Sequence, residues 1–264
     1  MNNSYEVLKS DFKNIGICSG DVLVVHSSMK SMGFVEGGAS CVISALIDVL
    51  GENGTLIFPT FTYRTSYIDS FYSNLDTPSC VGLISETFRK TEGVIRTNHP
   101  THSVALRGKE VNTLIKNELL NDTPMGIYSP YRRLADVGAK ILMLGCTLSS
   151  NSFMHALEEE SGVEYALRDH QQYTVVDENG NEFIRRIRRH NFVRTDGALL
   201  QRYDRTISVL DPEDYKISQI HGARSVLLDS VELKKKAIKK IRECPLYFVD
   251  DPNGYYSNGC NFVL

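Results

Sequence analysis

The sequence predicts an α/β fold with a mostly parallel central sheet flanked by helices and a more β-rich C-terminal half. Three observations carry that reading. The apolar runs at 22–25, 55–58 and 141–144 are continuous rather than alternating, as strands covered on both faces require. The first two enclose a helical pattern at 40–50, which makes a strand–helix–strand unit with a right-handed crossover. Past Gly162 the pattern turns to short extended pieces: residues 173–176 and 182–193 flank Asp177-Glu178-Asn179-Gly180 and read as a β-hairpin.

The elements follow in order. Leu8, Phe12 and Ile15 recur at spacings of four and three, so 5–15 is an amphipathic helix stopped at Gly16. Gly20-Asp21 turns the chain into the first strand. Residues 26–38 form a loop rich in small residues and hydroxyls. The helix 40–50 carries Val42, Ile43, Leu46, Ile47 and Leu50 on one side and stops at Gly51; the strand 55–58 then leads out through Pro59. Residues 64–78 show no period and read as a long loop of the kind that serves as a lid. Helical patterns at 79–90 and 110–120 bracket two short extended pieces within 95–106. Ser129-Pro130 opens another helix, with serine as cap and proline in the first turn. The third strand ends at Gly145, and beyond the polar residues 147–151 a helix carries His155 and Glu158. Residues 199–210 are ambiguous, and 224–228 read as a strand. Asp229 caps a helix at 231–242, with Glu232 completing a capping box, and 247–264 cover an edge.

Length and composition set outer limits. The 264 residues can bury a sizeable core. No repeat or linker divides them, so one domain over 1–264 is expected, any subdivision falling near 165–170. A net charge of −3 offers no general attraction to nucleic acid or anionic membrane. The six cysteines form no CxxC and no metal-type spacing with histidine, and no apolar run reaches 18 residues, so a soluble cytoplasmic protein with mostly buried thiols and no metal is expected. There is no G-x-S-x-G elbow, no phosphate-binding G-x-x-x-x-G-K-[ST] loop, and H-x-x-E at 155–158 is not the H-E-x-x-H zinc motif.

Chemistry concentrates after the third strand. His155 and Glu158 are three apart, so on a helix they share a face. A titratable pair just beyond the carboxyl end of a buried strand stands where open α/β sheets bind ligands. His155 therefore reads as a general base oriented by Glu158 or a nearby acceptor.

The ordered motifs identify a resemblance. His26-Ser27-Ser28-Met29-Lys30-Ser31-Met32-Gly33 with Gly37-Gly38 resembles the opening motif of the aminoglycoside 3-N-acetyltransferase family. Asn98-His99-Pro100 with Ser103, Ser129-Pro130 with Arg133-Leu134, Leu144-Gly145, and the segment from Asn151 to Glu158 resemble its later signatures in the same order. The likeness covers 8–162 well and 222 onward weakly. It implies transfer of acetyl from acetyl-CoA, as co-substrate, to an amine on an aminoglycoside or related amino sugar, with His155 as base. Thr60, just past the second strand, is placed as the oxyanion donor. Ser27, Ser28, Ser31, Gly33, Gly37, Gly38 and, more weakly, Ser103 are placed at the CoA. Glu159 and Asp69 are placed at a cationic acceptor. The partners expected are CoA and a small amino sugar, with a homodimer left open.

Rival readings remain. The arginine run 185–189 fits a solvated face, a subunit contact, or a clamp for the phosphates of CoA or of a nucleotide-linked amino sugar in surface polysaccharide synthesis. Cys146 could take the acetyl group covalently in a ping-pong route. A non-catalytic CoA- or sugar-binding protein is the alternative of another class.

Overall fold

Strands without polar alternation must be covered on both faces, and the structure covers them. The computed structural model describes residues 3–190 and 199–252. Its first half runs α1 (Asn3–Ile15), β1 (Val22–Ser27), α2 (Gly38–Leu50), β2 (Thr55–Pro59), α3 (Tyr63–Asp69), β3 (Phe71–Ser73), α4 (Leu83–Phe88), β4 (Ile95–Arg96) and β5 (Val104–Gly108). It continues through α5 (Val111–Ile115), α6 (Pro130–Arg133), β6 (Lys140–Leu144), α7 (Phe153–Ser161), β7 (Leu167–Val176), β8 (Glu182–His190), β9 (Leu200–Gln201), β10 (Tyr215–Ile220), β11 (Ala223–Asp229), α8 (Ser230–Glu243) and β12 (Val249–Asp250).

The large sheet has the order β10-β11-β6-β1-β2-β5-β4. Its three central strands are parallel: Val22–Val24 of β1 face Thr55–Ile57 of β2, and Leu23–Ser27 face Lys140–Leu144 of β6. The flanking strands on both sides run antiparallel. Alternate residues of β1 feed two cores, Val22 and Val24 into one, Leu23 and Val25 into the other. Each such side chain contributes roughly 1.5–3 kcal/mol through burial. Lys140 closes the lower end of the sheet by pairing with Asp21 at 2.7 Å. The upper, carboxyl ends of β1, β2 and β6 lie along one edge.

Several local readings change. Residues 64–78 hold α3 and β3, and β3 pairs in parallel with Thr174–Val176 of β7, a contact a three-residue strand cannot signal locally. The stretch 110–120 is broken at Asn117 (φ 62°) into α5 and a 3-10 turn. The hairpin is longer than expected, with β7 starting at Leu167 and an irregularity between Leu167 and His170. Positions 191–193 lie outside the described residues, as does 253–264 of the tail. Within the described part, Val249 and Asp250 pair with Leu200 and Gln201. Asp229 caps α8 as expected, but Glu232 turns toward Lys235 (3.1 Å). Cys18, Cys41, Cys80 and Cys146 are free thiols, with Cys18 exposed, while Cys244 is in a disulfide. Among the described residues no helix is long and apolar enough to cross a membrane.

The arginine run does not act as one unit. Arg186 is exposed, and Arg189 stacks over the Tyr67 ring at 5.0 Å. Arg185 is buried and donates to the carbonyls of Asn98, Leu119 and Asn121, with Glu118 3.7 Å away. It staples the hairpin to the loop before β5 and to the 3-10 turn after α5. Replacing Arg185 by Met should leave Glu118 buried without its cation, lowering stability by about 3–5 kcal/mol in urea unfolding.

Candidate active site

Parallel strands leave their carboxyl ends unpaired at one edge, and there the chain opens a cleft of about 560 Å³. His26 and Ser27 come from the end of β1, Pro59 and Phe61 from the end of β2, and Ser149, Ser150 and Ser152 from the turn after β6. Tyr63, Arg64 and Tyr67 of α3 form an aromatic wall. His102, His190, Gln201 and His155 close the floor. A depression of about 650 Å³ beside α8 is lined instead by Lys234, Lys235, Lys239, Arg242, Asp136, Glu243 and aliphatic groups, and contains no histidine, cysteine or serine.

The start of α7 is tied to the sheet. The Ser152 N–H donates to His26 Nε2 at 2.9 Å, and Asn151, fully buried, accepts from the Phe153 N–H at 3.1 Å. Burial, with the charge of His155 adding to it, pushes His26 down to about 3, so it stays a neutral acceptor at the helix entrance. These two bonds set where His155, one turn on, projects.

His155 sits in a defined network. Tyr203 Oη donates to Glu158 Oε2 at 2.6 Å, so the His155 Nδ1–H donates to Tyr203 Oη at 2.9 Å. Glu158 is fully buried, receives a second bond from Tyr165 Oη at 3.1 Å, and lies 3.5 Å from His155 Nδ1. Burial and the Glu158 charge raise the Tyr203 phenol well above its usual range, so it remains a donor. With Nδ1 protonated, Nε2 carries the lone pair and accepts from the Gln201 amide at 3.2 Å. The arrangement is an imidazole base with its tautomer fixed from behind and its unprotonated nitrogen toward the cleft.

Sequence-placed residues divide sharply. His155, Glu158 and Ser27 are at or behind the cleft. Thr60 is not: its hydroxyl is fully buried and meets Ser103 Oγ at 3.1 Å and Arg96 Nε at 3.3 Å, while its neighbours Pro59 and Phe61 face the cleft. Ser103 is buried in the same cluster, and His102 beside it faces the cleft instead. A one-residue shift along an extended chain reverses the face, which explains both misses. Ser28 and Ser31 bond each other at 2.9 Å, and Gly33, Gly37 and Gly38 hold φ values of 68°, 81° and 59°. The Glu159 side chain is buried against His190 and Asp69 is exposed; neither lines the cleft. Glu160 pairs with Arg132 and Lys234. Cys146 also does not line the cleft, and burial pushes its thiol up to about 12, which removes the thiolate a ping-pong route needs. Sequence reasoning missed Tyr203, Tyr165, Gln201 and His190; only His190 stood near a motif, the arginine run. Among the described residues no group of three or more His, Cys, Asp or Glu could hold a metal.

Comparison with known proteins places this geometry. Residues 24–242 match the aminoglycoside 3-N-acetyltransferase family. The SPbeta prophage-derived aminoglycoside N(3')-acetyltransferase-like protein YokD of Bacillus subtilis (strain 168) is 32% identical over 176 residues, covering 57% of this chain and 63% of that protein. The match thus spans somewhat under two thirds of that relative. Aminoglycoside N(3)-acetyltransferase VII of Streptomyces paromomycinus is 30% identical over 238 residues, 81% of this chain and 77% of that one. The crystal structure of a mutant of aminoglycoside acetyltransferase AAC(3)-IVa in complex with a gentamicin shares the fold, with a TM-score of 0.80 at 24% identity over 95% of this chain and 92% of that one.

The buried tyrosine–carboxylate bonds should be measurable in stability. Tyr203→Phe leaves Glu158 with one hydroxyl partner and should lower unfolding free energy by about 1–3 kcal/mol in urea titration. An unchanged midpoint would mean that the carboxyl finds water in its place.

Proposed function

Because the chain belongs to the aminoglycoside 3-N-acetyltransferase family, we propose that it transfers acetyl from acetyl-CoA to an amine of an aminoglycoside or related amino sugar by direct attack. The observation that supports this most is that His155 lines the cleft with Nδ1 held through Tyr203 to Glu158 and Nε2 bonded to the cleft-lining Gln201 amide, whose place an acceptor amine would take. An ammonium has no lone pair to attack with. His155 takes the proton from the acceptor amine as its nitrogen bonds the thioester carbonyl carbon. The tetrahedral intermediate then collapses with cleavage of the C–S bond. The thiolate of CoA takes the proton back from His155, and the charge on the ring is offset meanwhile by Glu158.

Acetyl-CoA is assigned to the loop 26–38. Ser27 lines the cleft, and Gly33 and Gly38 have open space where a side chain would stand. The 13-residue α2 presents its N-terminus there without a side-chain cap, which suits a pyrophosphate. Ser28 and Ser31 shape the loop through their mutual bond. The oxyanion role passes from Thr60 to the serines of the turn before α7 that line the cleft, Ser149, Ser150 and Ser152.

One observation favours a second reading of the acceptor. Among the described residues, the permanently charged side chain lining the cleft is Arg64, set beside Tyr63 and Tyr67. Aromatic faces and a guanidinium suit a neutral or anionic amino sugar, including a nucleotide-linked one, better than a polycation.

Two experiments test these readings. Release of free thiol from acetyl-CoA, assayed against aminoglycosides and against nucleotide-linked amino sugars, should show turnover on at least one panel; activity on the second alone would select the anionic acceptor. His155→Ala should lower kcat by about 10²–10⁴-fold while acetyl-CoA still binds, whereas Cys146→Ala should turn over like the parent. Undiminished turnover in His155→Ala would remove the base assignment.

A further inference from the structure

We propose that His190 and Glu159 form a second, buried imidazole–carboxylate pair that braces the His155 ring and offsets the positive charge it takes on during turnover. The inference rests on His155 being the base. It makes His190 a positioning residue and gives Glu159 an electrostatic task instead of an acceptor contact.

Tyr203 and Gln201 hold His155 at two atoms in the ring plane. Those bonds act in the ring plane and leave the ring face to be held by packing, about a torsion that is intrinsically broad. The face of the ring is covered by His190, stacked at 4.4 Å between centroids with planes 26° apart. His190 is itself fixed. Its Nε2 meets Glu159 Oε1 at 2.7 Å, and both side chains are nearly inaccessible, at 6% and 4%. His102 packs edge-on against it at 4.7 Å, and His99 stands edge-on behind His102 at 6.0 Å. The column is anchored in the main chain, because His99 Nδ1 accepts from the His102 N–H at 3.0 Å while His99 Nε2 meets the Thr123 carbonyl at 3.3 Å. The base is thus braced from the backbone through three rings.

Charge follows the same line. Glu159 is four residues beyond His155, on the same face of α7. Its Oε1 also accepts from the Met125 N–H at 2.9 Å. The titratable and charged groups around it are His155 and Glu158 on its own helix, His190 on β8, and Arg132 on α6. Burial raises its carboxyl to about 7, so the group is ionised on the alkaline side of neutrality. Burial and then the charge of His155 hold His190 well below the usual histidine range, so His190 stays neutral and donates to the carboxylate. An imidazolium formed on His155 during turnover then stacks on a neutral ring backed by a negative charge. A protonated His190 would repel it.

The test separates bracing from mere structure. Glu159→Gln keeps the shape and an acceptor oxygen and removes the charge. A cation formed on His155 during turnover then loses that support, and kcat should fall about threefold to tenfold on the alkaline side of neutrality, where the parent's Glu159 is ionised, and less on the acid side, where it is not. The KM values for acetyl-CoA and acceptor should stay within about twofold. His190→Ala removes the stacked face and should lower kcat about tenfold at unchanged KM, with His190→Phe, which retains a ring face, recovering part of the loss. Parental pH profiles in Glu159→Gln, or parental kcat in a folded His190→Ala, would overturn the proposal. If both variants at 190 fail to fold, the Glu159→Gln profile decides alone. His155→Ala run in parallel keeps the two ideas apart: full activity there sinks the base itself, whereas loss there with an unmoved Glu159→Gln profile sinks only the brace.

Discussion

A carboxyl group with no exposed surface dictates the arrangement of this site. Taking Glu158 out of water carries a penalty of several kcal/mol unless its oxygens are bonded. Both are: Oε1 by Tyr165 just after α7, Oε2 by Tyr203 from a 3-10 turn 45 residues away. Each such bond to a charged acceptor returns roughly 1.5–3 kcal/mol. Satisfying Glu158 therefore requires the segment around Tyr203 to fold back onto α7. Once Tyr203 donates to the carboxylate, its oxygen can only accept from His155, which leaves the lone pair on the opposite ring nitrogen, toward the cleft. A need for burial thus settles a chemical orientation.

The sheet supplies the platform for that arrangement. Only three parallel strands, β6, β1 and β2, are needed to bring His26, Pro59 and the turn before α7 to one edge. The antiparallel strands on either side widen the sheet and let α8 cover one face. The second, three-stranded sheet works differently. It carries His190 to the floor of the cleft at the end of β8, and Arg185 locks it down through three carbonyls and the buried Glu118. Within the basic run, Arg186 keeps the solvated face that the sequence left open to it, while Arg185 is a means of fixing the hairpin.

The chemistry of the acceptor side follows from what the carboxylates near α7 are already doing. Glu158 and Glu159 are consumed in buried pairs, and Glu160 bridges Arg132 and Lys234. The cleft wall offers tyrosine faces and the Arg64 guanidinium. Family membership bears on the reaction more directly than on the amine, because the reaction depends on the base and the sheet edge while the amine depends on α3 and the rim.

The sequence by itself determined the buried strands, the helix after β6 and the pairing of His155 with Glu158, because those depend on local period and on a three-residue spacing. It also carried enough ordered motif to point to the family. Tertiary structure alone decided which face each residue shows. Thr60 and Ser103 turn inward while Pro59, Phe61 and His102 turn outward, and one residue of register separates the two outcomes. It alone decided the partners too. Tyr203, Gln201 and His190 lie 31 to 48 residues from the groups they touch, in segments whose own pattern is a 3-10 turn, a two-residue strand and an arginine run. Nothing local marks them, since what selects them is a buried charge that exists only once the chain has folded around it.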